Sequence, residues 1–190
     1  MRVQRKRPTL KAAKKILLSG LVLSIFLPPV STTAQKPPDD PWRDWRPFLG
    51  TWKATGSGEP GQGVGDFTFQ TELQNTILTR HSYAEYPASG DKPAYRHDDL
   101  MVIYVDPATN RPKAYFWDNE GHFIRYDVEL SGGKLLFVSD AAQPGPHFRL
   151  TYAKTRDDAL NLTFEIAPPN ERENFKKYIE ASARRTASAR

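Results

Sequence analysis

The stretch HFIRYDVELSGGKLLFVSD, residues 122–140, decides the fold. Ile124, Tyr126 and Val128 alternate with Arg125, Asp127 and Glu129, a period of two that sets one face of a strand on a core and the other in water. Gly132 and Gly133 suit a two-residue hairpin, and an apolar run resumes at once after Lys134. Only antiparallel neighbours can be joined that tightly.

The same grammar runs through the chain on both sides. Phe67 and Phe69 interleave with Asp66, Thr68 and Gln70, and Leu160, Leu162, Phe164 and Ile166 interleave with Asn161, Thr163 and Glu165. Asp106 and Pro107, Asp118 to Gly121, and Asp157 and Asp158 mark tight turns. These signals predict about nine strands, at 48–57, 64–73, 76–86, 99–106, 112–118, 122–130, 134–140, 147–155 and 159–167. A meander of that length without helices closes on itself to remove its edges. The expected fold class is therefore all-β, a single up-and-down antiparallel β-barrel over residues 43–168. After Pro168 and Pro169 the period changes. Phe175, Tyr178, Ile179 and Ser182 fall at helical spacing, Asn170 is positioned to cap, and Glu171, Glu173, Arg184 and Arg185 match a helix dipole. This predicts a short amphipathic C-terminal helix within residues 169–190, docked on the barrel.

The first 34 residues read as an address. Arg2, Arg5, Lys6, Arg7, Lys11, Lys14 and Lys15 form a basic segment, Ile16 to Leu27 is an uncharged, mainly apolar run interrupted by Ser19, Gly20 and Ser24, and Thr32 and Ala34 are the small residues a signal peptidase needs. The apolar run is shorter than the roughly 17 to 25 residues that cross a bilayer. Residues 1–34 are expected to be a cleaved signal peptide, residues 35–42 a polar linker, and the mature protein secreted or periplasmic without a membrane span. Lys6 to Lys11 resembles a degenerate twin-arginine signal, but its first arginine is replaced and the apolar run is strong, so ordinary secretion is the reading. Of 27 basic and 22 acidic side chains, seven basic ones lie in this segment, which leaves 20 against 22, a net charge of −2. The basic character belongs to the leader, and no basic stripe remains for a nucleic-acid partner. Cysteine is absent, which excludes disulfides, thiolate metal sites and an acylated lipoprotein cysteine. About 155 mature residues suffice for one stable core.

A family resemblance enters at Trp45 to Trp52, WRPFLGTW. Gly50-Thr51-Trp52 after a short aromatic turn resembles the opening of lipocalins and other calycins, the Gly56 to Gly63 loop is similar to that of nitrobindin-like barrels, and Tyr115-Phe116-Trp117-Asp118 is similar to an uncharacterised exported bacterial branch. The resemblance implies that Gly50 and Trp52 plug the closed end of the barrel, with an arginine, Arg184 or Arg185, over the indole. A barrel of this size has room for packed side chains or one small ligand, and the expectation is that it binds or sequesters a small hydrophobic or aromatic molecule. Nitrobindin-like proteins hold haem through a histidine on a late strand. His147 lies in that region but outside the family's motif, so no cofactor is expected, haem being the alternative.

The interior decides the function. His122 shares a face with Ile124, Tyr126 and Val128, and Tyr152 shares one with Phe148 and Leu150. In 76–86 either Thr79, His81 and Tyr83 or Arg80 and Ser82 point inward. With Trp117 near the mouth, the candidate ligand-binding residues are His81, Tyr83, Trp117, His122, Tyr126 and Tyr152, and Pro87 to Arg96 is a candidate lid. Two other readings remain open. One is an enzyme with His81 or His122 as base and Tyr83 or Tyr126 as donor; the other is a filled barrel whose surface binds a partner. No nucleophile elbow is present, and nothing positively supports catalysis. Gly56 to Gly61 fits Gly-x-Gly-x-x-Gly, but a strand rather than a helix follows it. His97, Asp98 and Asp99 are adjacent, so they cannot all converge from one strand, and no metal is expected. Oligomeric state is not legible.

Overall fold

A computed structural model describes residues 40–56 and 63–186. The expected leader, most of the linker and most of the Gly56 to Gly63 loop lie outside the described residues. After a 3-10 turn, Arg43–Phe48, the chain runs through β1 (Gly50–Gly56), β2 (Val64–Glu72), β3 (Ile77–Tyr86), β4 (Tyr95–Asp106), β5 (Arg111–Asp118), β6 (Phe123–Ser131), β7 (Lys134–Ser139), β8 (His147–Arg156), β9 (Ala159–Ala167) and β10 (Lys176–Arg185). Each strand pairs antiparallel with its sequence neighbours, and β1 pairs with β10, so the sheet closes into a barrel. No helix among the described residues is long and apolar enough to cross a membrane.

The tenth strand replaces the expected C-terminal helix. Ile179, Ala181 and Ala183 alternate with Glu180, Ser182 and Arg184, and a register shift between Lys177 and Ile179 sets the phase. Ala181 and Ala183 are buried against Leu162 and Leu160. Two open edges, β1 and β9, can each satisfy a full row of backbone groups only through a strand. That demand outweighs the helical spacing of Phe175, Tyr178 and Ile179.

The hairpins β2–β3, β4–β5, β6–β7 and β8–β9 all lie at one end, together with the start of β1. The 3-10 turn covers this end. Trp42, at the last position assigned to the linker, is buried and donates its indole N–H to the Asn75 carbonyl at 2.9 Å, while Trp45 meets Phe137 edge-on at 6.4 Å. Inward side chains of this half include the fully buried Trp52, Phe69, Leu78, Ile103, Leu135 and Phe137, with Val105 and Leu130 partly buried against them. Phe67, Phe69, Phe137 and Tyr152 interlock with centroids 5.2 to 6.1 Å apart, in tilted and edge-on contacts worth more than their area alone. The closed half is packed solid.

Candidate functional site

Cross-strand partners share a face, so register fixes which residues enter the lumen. Phe67 pairs with Ser82, Ser82 with Asp99, Asp99 with Asp118, and Phe116 with Ile124. Arg80 and Ser82 therefore point inward, while His81 and Tyr83 point outward. His122 is in phase with Ile124 and Tyr126, at the rim of the open end.

The sequence candidates separate into three places. His81, Tyr83 and Trp117 line a groove of about 480 Å³ on the outer wall, with Asp66, Thr68 and Leu100. There Tyr83 donates to Asp66 at 3.0 Å, and that bond raises the phenol's pKa. Tyr126 and Tyr152 belong to the core, where burial raises the pKa of both. His122 is exposed and lies 2.8 Å from Asp118 Oδ2. His81 and Tyr126 thus stand on opposite faces of the wall and cannot act as one acid–base pair. His147 is buried at the start of β8, on the face opposite its inward neighbour Phe148, and its Nε2 has no hydrogen-bond partner among the described residues. The segment Pro87 to Arg96 folds back through a Ser89–Lys92 bridge before β4 begins at Tyr95.

Trp52 is fully buried, its indole N–H donates to the Phe48 carbonyl at 2.8 Å, and the guanidinium of Arg185 lies 4.2 Å from its ring centroid. Arg185 also donates to the carbonyls of Leu49 and, at 2.6 Å, Pro47. Gly50 has φ +104°, and a Cβ there would stand 3.0 Å from that guanidinium. A side chain at Gly50 would therefore strain the backbone and crowd the arginine. Arg184 faces outward, 3.3 Å from Asp158.

In the middle of the lumen Arg80 is 4 % exposed. It donates to Tyr152 Oη and Asp99 Oδ1, and packs over the rings of Phe116 and Tyr152 at 5.9 and 6.0 Å. Burial works against its charge, but Asp99 and Tyr152 more than offset this and raise its pKa.

Above Arg80 the lumen changes character. Along β8 to β10 the inward Phe148, Phe164, Ile166 and Ile179 are only half-buried, so they keep surface open to solvent at this end of the barrel. Phe148 stacks on Phe164 at 5.9 Å, and Tyr178, at the β10 irregularity, meets Phe164 edge-on. The facing wall, β3 to β5, is polar. Sequence reading missed His97 and Asp99 as a pair, yet they are two residues apart and share the inner face, whereas Asp98 points away toward Arg96. His97 Nδ1 lies 2.7 Å from Glu120 Oε1, which also accepts from Tyr95 Oη, and His97 Nε2 lies 3.7 Å from Asp99 Oδ2. Asp118 Oδ1 accepts the amide N–H groups of Glu120 and His122 at 3.0 and 2.9 Å. Burial works to raise the Asp118 pKa, but the His122 amide and imidazole prevail and lower it. The bonds from Tyr95 and His97 lower that of Glu120. Tyr86 stacks on Tyr95 at 5.5 Å and edges the mouth.

These features define a closed antiparallel barrel, compatible with a calycin-like one, sealed at one end and open at the other onto a half-aromatic, half-ionisable mouth. Comparison with known protein families and with curated proteins finds no match to this chain.

Proposed function

We propose that the protein is an exported, lipocalin-like binding barrel that takes one small molecule in the open half of its lumen. The molecule is aromatic or apolar along one side and carries hydrogen-bonding groups along the other. One observation carries the reading: Phe148, Phe164, Ile166 and Ile179 point into the barrel and still meet solvent, opposite His97, Asp118 and Glu120. Apolar surface kept wet inside a barrel gains free energy when a ligand covers it, at roughly 25 cal/mol per Å². The polar wall supplies the few orienting groups that such pockets use. The packed closed half limits the ligand to a small one.

Protein-observed NMR with phenol, indole and phenethylamine tests this reading. Shifts centred on Tyr86, Tyr95, Phe148, Phe164 and Ile179, weakened by Phe164→Ala, support it. Shifts centred on the outer groove at His81, Tyr83 and Trp117, or none at millimolar ligand, overturn it.

A further inference from the structure

Three potential metal-ligand atoms converge at the mouth, one each from His97, Asp118 and Glu120, all within 4.8 Å of one another. An ion can be placed within about 2.8 Å of all three atoms so spaced, so shifts of under about 1 Å bring them to the roughly 2.0–2.2 Å typical of zinc with nitrogen and oxygen ligands. We propose that His97 Nδ1, Asp118 and Glu120 form a binding site for one divalent transition-metal ion of the zinc class. This ion becomes part of the polar wall of the mouth, so the inference deepens the proposed binding function and rests on the same open lumen.

The surroundings of the three residues match what a metal site requires beyond its ligands. A ligating histidine needs its other nitrogen held by a carboxylate or carbonyl. Here the Nε2 of His97 faces Asp99, whose side chain is 7 % exposed and fixed from behind by Arg80. Ligating carboxylates also need orienting partners. Asp118 is held by two backbone N–H groups on one oxygen, which directs the other toward His122 at the rim. Charge points the same way. Arg80 balances Asp99, whereas Asp118 and Glu120, two residues apart at the β5–β6 turn, pair among the described residues with the His122 and His97 imidazoles and the Tyr95 hydroxyl rather than with a lysine or arginine.

The donor set selects the ion. Calcium and magnesium favour all-oxygen shells, while imidazole with carboxylates suits zinc, manganese or iron. The ion takes the place of the hydrogen bond between His97 Nδ1 and Glu120, and any proton held there leaves to solvent. An imidazole that ligates through Nδ1 carries its hydrogen on Nε2, toward Asp99. Ligands from three positions leave open coordination sites facing the lumen, where a bound molecule's oxygen or nitrogen can bind.

The test uses the full chain stripped with chelator and titrated calorimetrically with zinc chloride, with cobalt(II) absorption as a spectroscopic check. One ion per chain is expected, weakened more than 100-fold by His97→Ala or Glu120→Gln and 10- to 100-fold by Asp99→Asn. His81→Ala, on the outer wall, leaves affinity unchanged. Matching far-UV spectra and melting temperatures in chelator establish that His97→Ala and Glu120→Gln fold. No binding, or binding that persists in His97→Ala, overturns the site. Organic ligands shifting the mouth resonances of metal-free protein, with no zinc bound, sinks the metal and spares the binding function. Zinc bound without any organic ligand does the reverse.

Discussion

Arg185, at the last position of β10, lies over Trp52, near the start of β1, with 4.2 Å from guanidinium carbon to ring centroid. The contact joins the first and last strands at the one seam where the barrel closes on itself. The same guanidinium satisfies two carbonyls of the covering turn, Pro47 and Leu49.

Removing that side chain therefore costs a cation–π contact and leaves two carbonyls without their donor. Arg185→Ala is expected to lower unfolding free energy by about 2–4 kcal/mol in urea denaturation. Arg184→Ala, one residue away, loses only a surface ion pair with Asp158 and is expected to change it by under about 0.5 kcal/mol. Equal effects would show that the two arginines are interchangeable at the seam.

The buried Arg80–Asp99 pair gives a second expectation. Arg80→Met strands a carboxylate in the lumen and is expected to cost about 3–5 kcal/mol, whereas the double variant Arg80→Met, Asp99→Leu recovers most of the loss. Tyr152→Phe deletes one hydroxyl bonded to Arg80 and should cost about 1–2 kcal/mol. Additive losses in the double variant would contradict the pairing.

Acid sensitivity should localise in part to β8 and β9. Arg149 donates to both oxygens of Glu165 at 2.6 and 2.9 Å, and this lowers the Glu165 pKa. A carboxyl lowered on folding stabilises the protein above its unfolded value, about 4.3, and loses that contribution as pH falls through the folded value. Arg149 is a third exposed, so the term is at most about 1 kcal/mol. Melting temperatures of Glu165→Gln should lie below wild type at pH 7 and converge with it near pH 3.

Deleting residues 176–190 removes β10 and leaves β1 and β9 as long unpaired edges. The truncated chain is expected to associate through them, seen as high-mass species in size-exclusion chromatography with light scattering. A monodisperse monomer would mean that closure by β10 is dispensable.

Export makes a separate prediction. Intact-mass analysis of protein from its host should give a mature chain beginning near Gln35. A chain retaining Ile16 to Leu27 would overturn the reading of the leader.

Strand alternation was legible from residues alone because water on one side and core on the other impose a period of two on every strand. Thus β9, Ala159–Ala167, has the bounds that Leu160 to Ile166 signal, and the two-glycine turn at 132 and 133 adopts positive φ at both positions. Trp52 was singled out by its motif, but only the pairing of Trp52 with Arg185 distinguishes Arg185 from Arg184. The strand at 176–185 was hidden because its inward residues include two alanines, which fit a helix equally well, and the demand for a strand came from the distant edges of β1 and β9.

The mouth was hidden for a different reason. His97 and Asp99 carry the same two-residue spacing as any strand pair, but Asp118 and Glu120 join them only through the register of β4 on β5. Sequence determined that this polypeptide makes strands, where they turn and that they form an antiparallel barrel, since those depend on neighbours along the chain. Tertiary structure alone decided which face of β3 enters the lumen, what closes the barrel and which ionisable groups meet, because those depend on hydrogen-bond register between segments and on burying Arg80 only where Asp99 can neutralise it.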